Sequence, residues 1–149
     1  MSTIDTSTED AVREVLSLDQ RIPDPEQIAV STEAGLVTLR GTVGSFSQRR
    51  AAVHDAANVV GVDDVNDELK VRLLDESRRE DADIRGMALQ ILMWDSDVPA
   101  ELIDVKVDDG WVTLTGDVSF QFESDAAFED VADMLGVIGV TNDIRVTTP

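Results

Sequence analysis

The nine residues GLVTLRGTV at 35 to 43 return as GWVTLTGDV at 110 to 118, identical at six positions. No other feature constrains the fold as strongly, because self-similarity at a fixed spacing marks a structural unit that the chain builds more than once. An offset of 75 aligns Ile28 and Val30 with Ile103 and Val105, and Ala51, Ala52 and Ala57 with Ala126, Ala127 and Ala132. It continues through Gly61, Val62, Val65 and Val71 onto Gly136, Val137, Val140 and Val146. One extra residue in IPDPEQI relative to VPAELI moves the offset to 76, where Val15, Leu16, Ile22 and Pro23 meet Ile91, Leu92, Val98 and Pro99. The chain therefore reads as a flexible start at 1–7, a first copy at 8–72, a charged linker at 73–81 and a second copy at 82–147.

Each copy carries the same order of elements. Apolar residues at helical spacing (Val12, Val15, Leu16; Ile84, Ala88, Ile91, Leu92) predict a first helix from about Thr8 to Leu18 and from Asp83 to Trp94. Acidic residues at its start suit a helix N-terminus, and the proline that follows sets its end. A short strand, a turn ending in glycine and a second strand come next. In that second strand Val37, Leu39 and Val43, or Val112, Leu114 and Val118, alternate with polar positions, so one face is buried. A second helix is expected from about Ser47 to Val60 and from Phe122 to Leu135. Its inner face would be Val53, Ala56, Ala57 and Val60 in one copy and Ala127, Phe128, Val131 and Leu135 in the other. Ser45 followed by Gln48 fits a capping box, of which Phe120 and Glu123 keep half. The last strand places Val65, Leu69 and Val71, or Val140, Ile144 and Val146, on one face, with Asp67 or Asn142 on the same parity to hydrogen-bond turn backbone inside the domain.

Glycines punctuate both copies at matching places. Gly35 and Gly110 supply the positive φ of the hairpin turn, Gly41 and Gly116 allow a bend or a close approach, and Gly61 and Gly136 are placed to stop the second helix.

The order helix, strand, strand, helix, strand, with G-[LW]-V-T-L-x-G-x-V in the middle and G-V-x-x-V-x-[DN]-x-[LI]-x-V at the end, resembles the BON domain over both copies. The second copy matches further, through ILMWDSDVP and Asn142, where the first has Asp67. The resemblance implies an α+β fold: two tandem small α-β-β-α-β domains, each a three-stranded mixed sheet with two helices packed on one face. It also implies a non-enzymatic module, linked in this family to osmotic or envelope stress and proposed to bind phospholipids or other envelope components. Some relatives carrying the domain are associated with potassium, which suggests a cation-responsive module as a further alternative.

Charge narrows the partners. With 31 acidic and 12 basic residues the formal net charge is −19, which repels phosphate backbones and anionic bilayers, so no nucleic acid is expected. The absence of cysteine excludes thiol nucleophiles, thiolate metal sites and disulfides. No segment approaches a membrane span, and the start resembles no secretory leader, so the chain is expected in the cytoplasm. His54, the only histidine, stands beside Asp55 on a helix, where adjacent side chains point about 100° apart and form no catalytic pair. Asp95 with Asp97, or Asp104 with Asp108 and Asp109, could be imagined around a metal, but none follows the spacing of a calcium loop. No catalytic residue, cofactor or metal is therefore assigned.

Three aromatic residues of the second copy are left as the candidate partner-binding surface. Trp111 has the opposite parity to Val112 and Leu114, where the first copy has Leu36, and is expected on the outer face of the sheet, covering the other domain or docking a partner. Phe120 and Phe122 form an apolar spot at the entry to the second helix, either a staple or a contact surface. A protein partner is the leading expectation and phospholipid the alternative, in a stress-response binding module.

Overall fold

The computed structural model describes residues 3–147, and the chain divides into two compact units at Arg72 and Leu73. In the first unit α1 (Thr3–Leu18) is followed by a single 3-10 turn and then β1 (Ile28–Glu33), β2 (Leu36–Val43), α2 (Phe46–Ala57) and β3 (Asp64–Val71). The second repeats the order with α3 (Asp81–Trp94), β4 (Ile103–Asp108), β5 (Trp111–Val118), α4 (Gln121–Ala132) and β6 (Gly139–Val146). The expected α+β architecture is thus present twice.

In each unit the hairpin-forming pair is antiparallel and the last strand adds in parallel to the middle one. Ile28 stands opposite Gly41 and Ile103 opposite Gly116, while Leu36 pairs with Asp64 and Trp111 with Gly139. Alternation then delivers Val37, Leu39 and Val43, or Val112, Leu114 and Val118, to the face that the two helices cover. Val12 and Leu16 from α1 and Ala51, Ala52 and Ala56 from α2 complete the first core; Ile84, Ala88 and Leu92 with Ala127, Val131 and Ala132 do so in the second. Each fully buried leucine or valine contributes about 1.5–3 kcal/mol.

The hairpins turn on two residues, Ala34–Gly35 and Asp109–Gly110, all four at positive φ. That pair of dihedrals matches the twist of the flanking strands, and aspartate tolerates it better than alanine. Gly41 and Gly116 also lie at positive φ, and a Cβ at either would run into the backbone carbonyl of Gln27 or Leu102. The glycine is there because the chain entering the first strand passes against it.

Several boundaries differ from the sequence expectation. Residues 3–7, expected as part of a flexible start, begin α1, while residues 1 and 2 lie outside the described residues. Part of the expected linker is also structured, as a 3-10 turn at Asp75–Ser77 and the first residue of α3. The first and third helices end at Leu18 and Trp94, as expected, but a turn and not the proline follows directly: Asp19 and Asp95 each accept the backbone N–H two residues on, from Arg21 at 2.8 Å and Asp97 at 2.9 Å. The second and fourth helices stop at Ala57 and Ala132, so Gly61 and Gly136 close a following turn instead of capping the helix directly. Val60 and Leu135 fall beyond the helix and are 94% and 56% exposed, and Ala57 is exposed as well; Ala51 and Ala52 take the inner face instead.

Candidate functional site

Trp111 opens β5 on the outer face of its sheet and is 40% exposed. Its indole lies across Gly139 of the neighbouring strand, where a Cβ would collide with the ring, and its Nε1–H donates to Thr141 Oγ1 at 2.7 Å. A flat aromatic surface is thereby fixed on the sheet. In the first domain Leu36 and Asp64 occupy these two places, and no such seat exists.

Phe120 and Phe122, 58% and 54% exposed, stack with ring centroids 5.6 Å apart and planes inclined by 18°. They stand at the N-terminus of α4, held there by Glu123, whose Oε1 accepts from Ser119 N at 3.1 Å and Phe120 N at 3.0 Å. The matching start of α2 is capped by Ser45, whose Oγ accepts from Gln48 N at 3.1 Å. Serines at 45 and 47 stand where the second domain has its two phenylalanines. The structure therefore joins Phe120 to Phe122 but leaves Trp111 apart from them. The eight residues of β5 separate them, on the order of 20 Å at strand rise.

Asn142 takes a role close to that expected. Its Oδ1 accepts from Ile144 N at 3.2 Å on its own strand, and its Nδ2 donates to the buried Ser124 Oγ of α4 at 3.0 Å, so the partner is a helix and not a turn. Asp67 does the same in the first domain, accepting from Leu69 N at 3.0 Å and from Arg49 Nε at 2.8 Å.

Among the described residues the acidic group that gathers as a metal ion would require is Asp81, Asp108 and Asp109. The Asp81 carboxylate accepts the backbone N–H groups of Asp109 and Gly110 at 2.9 and 3.0 Å, so it already serves the hairpin turn. Asp104 is engaged elsewhere, 3.7 Å from Arg85. His54 is exposed and meets the Asn58 side chain, not a carboxylate of a catalytic pair.

A pair of carboxyl groups in each domain escaped the sequence reading. Asp55 of α2 and Asp19, in the turn after α1, are both reached by Arg21, and their electrostatics are linked; Asp130 of α4 is linked in the same way to Asp95, in the turn after α3. Burial, then the bond to Asp19 and its charge, pushes Asp55 up to about 6 against the pull of Arg21. Burial, then Asp95, and then the charges of Asp97 and Glu129, pushes Asp130 up to about 7. Asp19 is held well below the usual carboxylate range by its bonds to Arg21 and Asp55, and Asp95 is lowered by its bonds to Asp130 and to Asp97 N–H. The available signal was the repeat itself, which aligns Asp19 with Asp95 and Asp55 with Asp130.

These two sandwiches, with their hairpin glycines and parallel closing strands, define a tandem α-β-β-α-β protein whose recurring residues serve packing and turns. The chain belongs to the BON domain family, whose model matches residues 4–72 and 80–148. It is similar to Osmotically-inducible protein Y of Escherichia coli (strain K12), with 35% identity over 127 residues, and spans 61% of that protein's length with 79% of its own. Among solved structures it matches the C-terminal domain of CdsD, described as the structural protein of the type III secretion system of Chlamydia trachomatis, at 14% identity and a TM-score of 0.39. That match covers 96% of this chain and 67% of the other. No helix among the described residues is long and apolar enough to cross a membrane.

Proposed function

We propose that this chain is a non-enzymatic binding module of an osmotic or general stress response that docks a protein partner through its second domain. The observation that carries the reading is the stacked, exposed Phe120–Phe122 pair at the start of α4, for which the first domain has serines. Exposed aromatic pairs bury large areas at little entropic cost, which is why such residues anchor interfaces. Trp111, already fixed by Gly139 and Thr141, offers a second and separate anchor. The family and the likeness to an osmotically inducible protein support the stress context. Under this reading the module acts in the cytoplasm, which cell fractionation checks.

The test exchanges copy-specific residues. Affinity capture from the native lysate with the wild type should recover proteins that are lost with Phe120→Ser, Phe122→Ser, the residues of the first domain. Recovery of the same proteins by both would show that the surface lies elsewhere. Co-sedimentation of the wild type, but not of this variant, with anionic phospholipid vesicles at low salt would replace the protein partner by a lipid surface. The carboxylates of Asp117, Glu123 and Asp125 near the pair oppose that outcome.

A further inference from the structure

The solvent face of α3 is unlike that of α1, its counterpart in the first domain. From Gly86 to Trp94 the helix reads GMALQILMW, nine residues without a charge. Ile84, Ala88 and Leu92 enter the core, and Ala82, Gly86, Met87, Gln90, Met93 and Trp94 are exposed. Met87, Met93 and Trp94 are 53%, 70% and 73% open to solvent. The aligned stretch of α1, DAVREVLSL, has Asp10, Glu14 and Ser17 where α3 has Gly86, Gln90 and Met93, and its Arg13 pairs with Glu9 at 3.3 Å and with Asp10 at 3.5 Å. A solvated helix is ordinarily finished in that way, whereas a helix that is apolar nearly all round has neighbours on both sides.

Gly86 is a second and independent sign. Glycine inside a helix is unfavourable relative to alanine, and nothing among the described residues requires it here. A Cβ at Gly86 would meet no atom within 4 Å beyond its own stretch of helix, whereas Gly41 and Gly116 are needed by backbone that passes against them. A helical glycine with no internal reason leaves room for close approach from outside, and the flexible side chains of Met87 and Met93 can adapt to an apolar surface laid there.

We propose that this face of α3 docks an amphipathic helix of a partner protein, one with an apolar stripe and basic residues at both ends. The proposal rests on the reading of the chain as a binding module and adds a surface on a different helix from the Phe120–Phe122 pair. Charge chooses the occupant. The uncharged stretch lies between Asp81 and Asp83 on one side and Asp95 and Asp97 on the other, roughly 20 Å apart at the rise of an α-helix. Arg85, the one cation of α3, is already engaged by Val105 O at 2.9 Å and Asp104 at 3.7 Å. A second copy laid antiparallel on the same face would set Asp83 of one chain against Asp95 and Asp97 of the other, between molecules of net charge −19. An anionic bilayer would meet the same carboxylates. Lysines or arginines at the two ends of a partner helix are attracted to them, while its apolar stripe covers Met87, Met93 and Trp94.

The probe is a synthetic helical peptide of about 16 residues, with a leucine stripe and lysines at both ends, titrated calorimetrically into the full chain. The wild type should bind it. Gly86→Asp, Gln90→Glu, Met93→Ser installs the residues of α1 and adds two carboxylates, so general attraction for a basic peptide can only grow; docking predicts instead a loss of affinity of about tenfold or more. Gly86→Ala should raise the thermal midpoint of the second domain and still weaken the peptide, a combination that misfolding does not produce. Phe120→Ser, Phe122→Ser should leave the peptide's affinity unchanged, which separates failure of this face from failure of the aromatic pair. Equal or tighter binding by the triple variant, loss of the peptide through the phenylalanine exchange alone, or a wild type that does not bind the peptide, whether or not it enters phosphatidylcholine vesicles, overturns the proposal.

Discussion

The first domain ties its last strand to its helix with an ion pair, Arg49 to Asp67, and the second does so with a hydroxyl and an amide, Ser124 to Asn142. The two pins share one half. In both, the strand residue accepts the N–H two positions on, from Leu69 or Ile144, which either an aspartate or an asparagine can do. The other half, reaching to the helix, is free to be charged or neutral provided both ends change together. The turns after the first helices show the same division: Asp19 and Asp95 each accept the N–H two residues on, while Arg21, which pairs with Asp19 and Asp55, gives way to Asp97 in the second domain. What the fold demands is an acceptor oxygen at a fixed place; charge is a local choice in which two copies of one scaffold differ.

The largest effect expected tests where the domains are equivalent. Gly41→Ala and Gly116→Ala each drive a methyl group into a carbonyl at positive φ, and each should cost its own domain about 3 kcal/mol or more. Both tryptophans lie in the second copy, so fluorescence-monitored denaturation should report Gly116→Ala, and amide exchange in the first domain should report Gly41→Ala. Loss in one domain alone would break the equivalence. The pins should differ in size: Arg49→Ala leaves the half-buried Asp67 carboxylate without its partner and should cost about 1–2 kcal/mol. Ser124→Ala should cost about 1 kcal/mol or less by denaturant unfolding, because the exposed Asn142 amide can turn to water. Equal costs would show that charge adds nothing. The smallest effect belongs to the hairpins, where Ala34→Asn should stabilise the first domain by about 0.5 kcal/mol and Asp109→Ala should weaken the second by a similar amount.

The strands were the most legible part of the sequence. Their period of two, their paired glycines and the recurrence of GLVTLRGTV fix which face of Val37, Leu39 and Val43 is buried, and the structure buries all three. Helix ends were less legible, since Val59, Val60 and Val62 continue an apolar pattern after Ala57 has already ended α2. Periodicity does not reveal where a helix gives way to a turn. The aromatic residues were readable as exposed, but that a strand's length divides Trp111 from Phe120 and Phe122 follows from the course of β5. The carboxyl pairs were hidden for a different reason. Among 31 acidic residues, an aspartate late on a helix looks like any solvated one until the turn carrying its partner folds against it.

The parallel placement of each last strand also sets two very different closure costs within one sheet. The hairpin closes across two residues, whereas the closing strand must find neighbours 28 residues back, as Glu68 does beside Arg40 and Arg145 beside Asp117. Closing the longer loop carries the greater entropy cost, and a parallel pairing also requires the intervening helix to cross the sheet. Each domain thus combines one short local closure with one long-range one. Without its last strand, held to the helix through Asp67 or Asn142, the middle strand would present an unpaired edge.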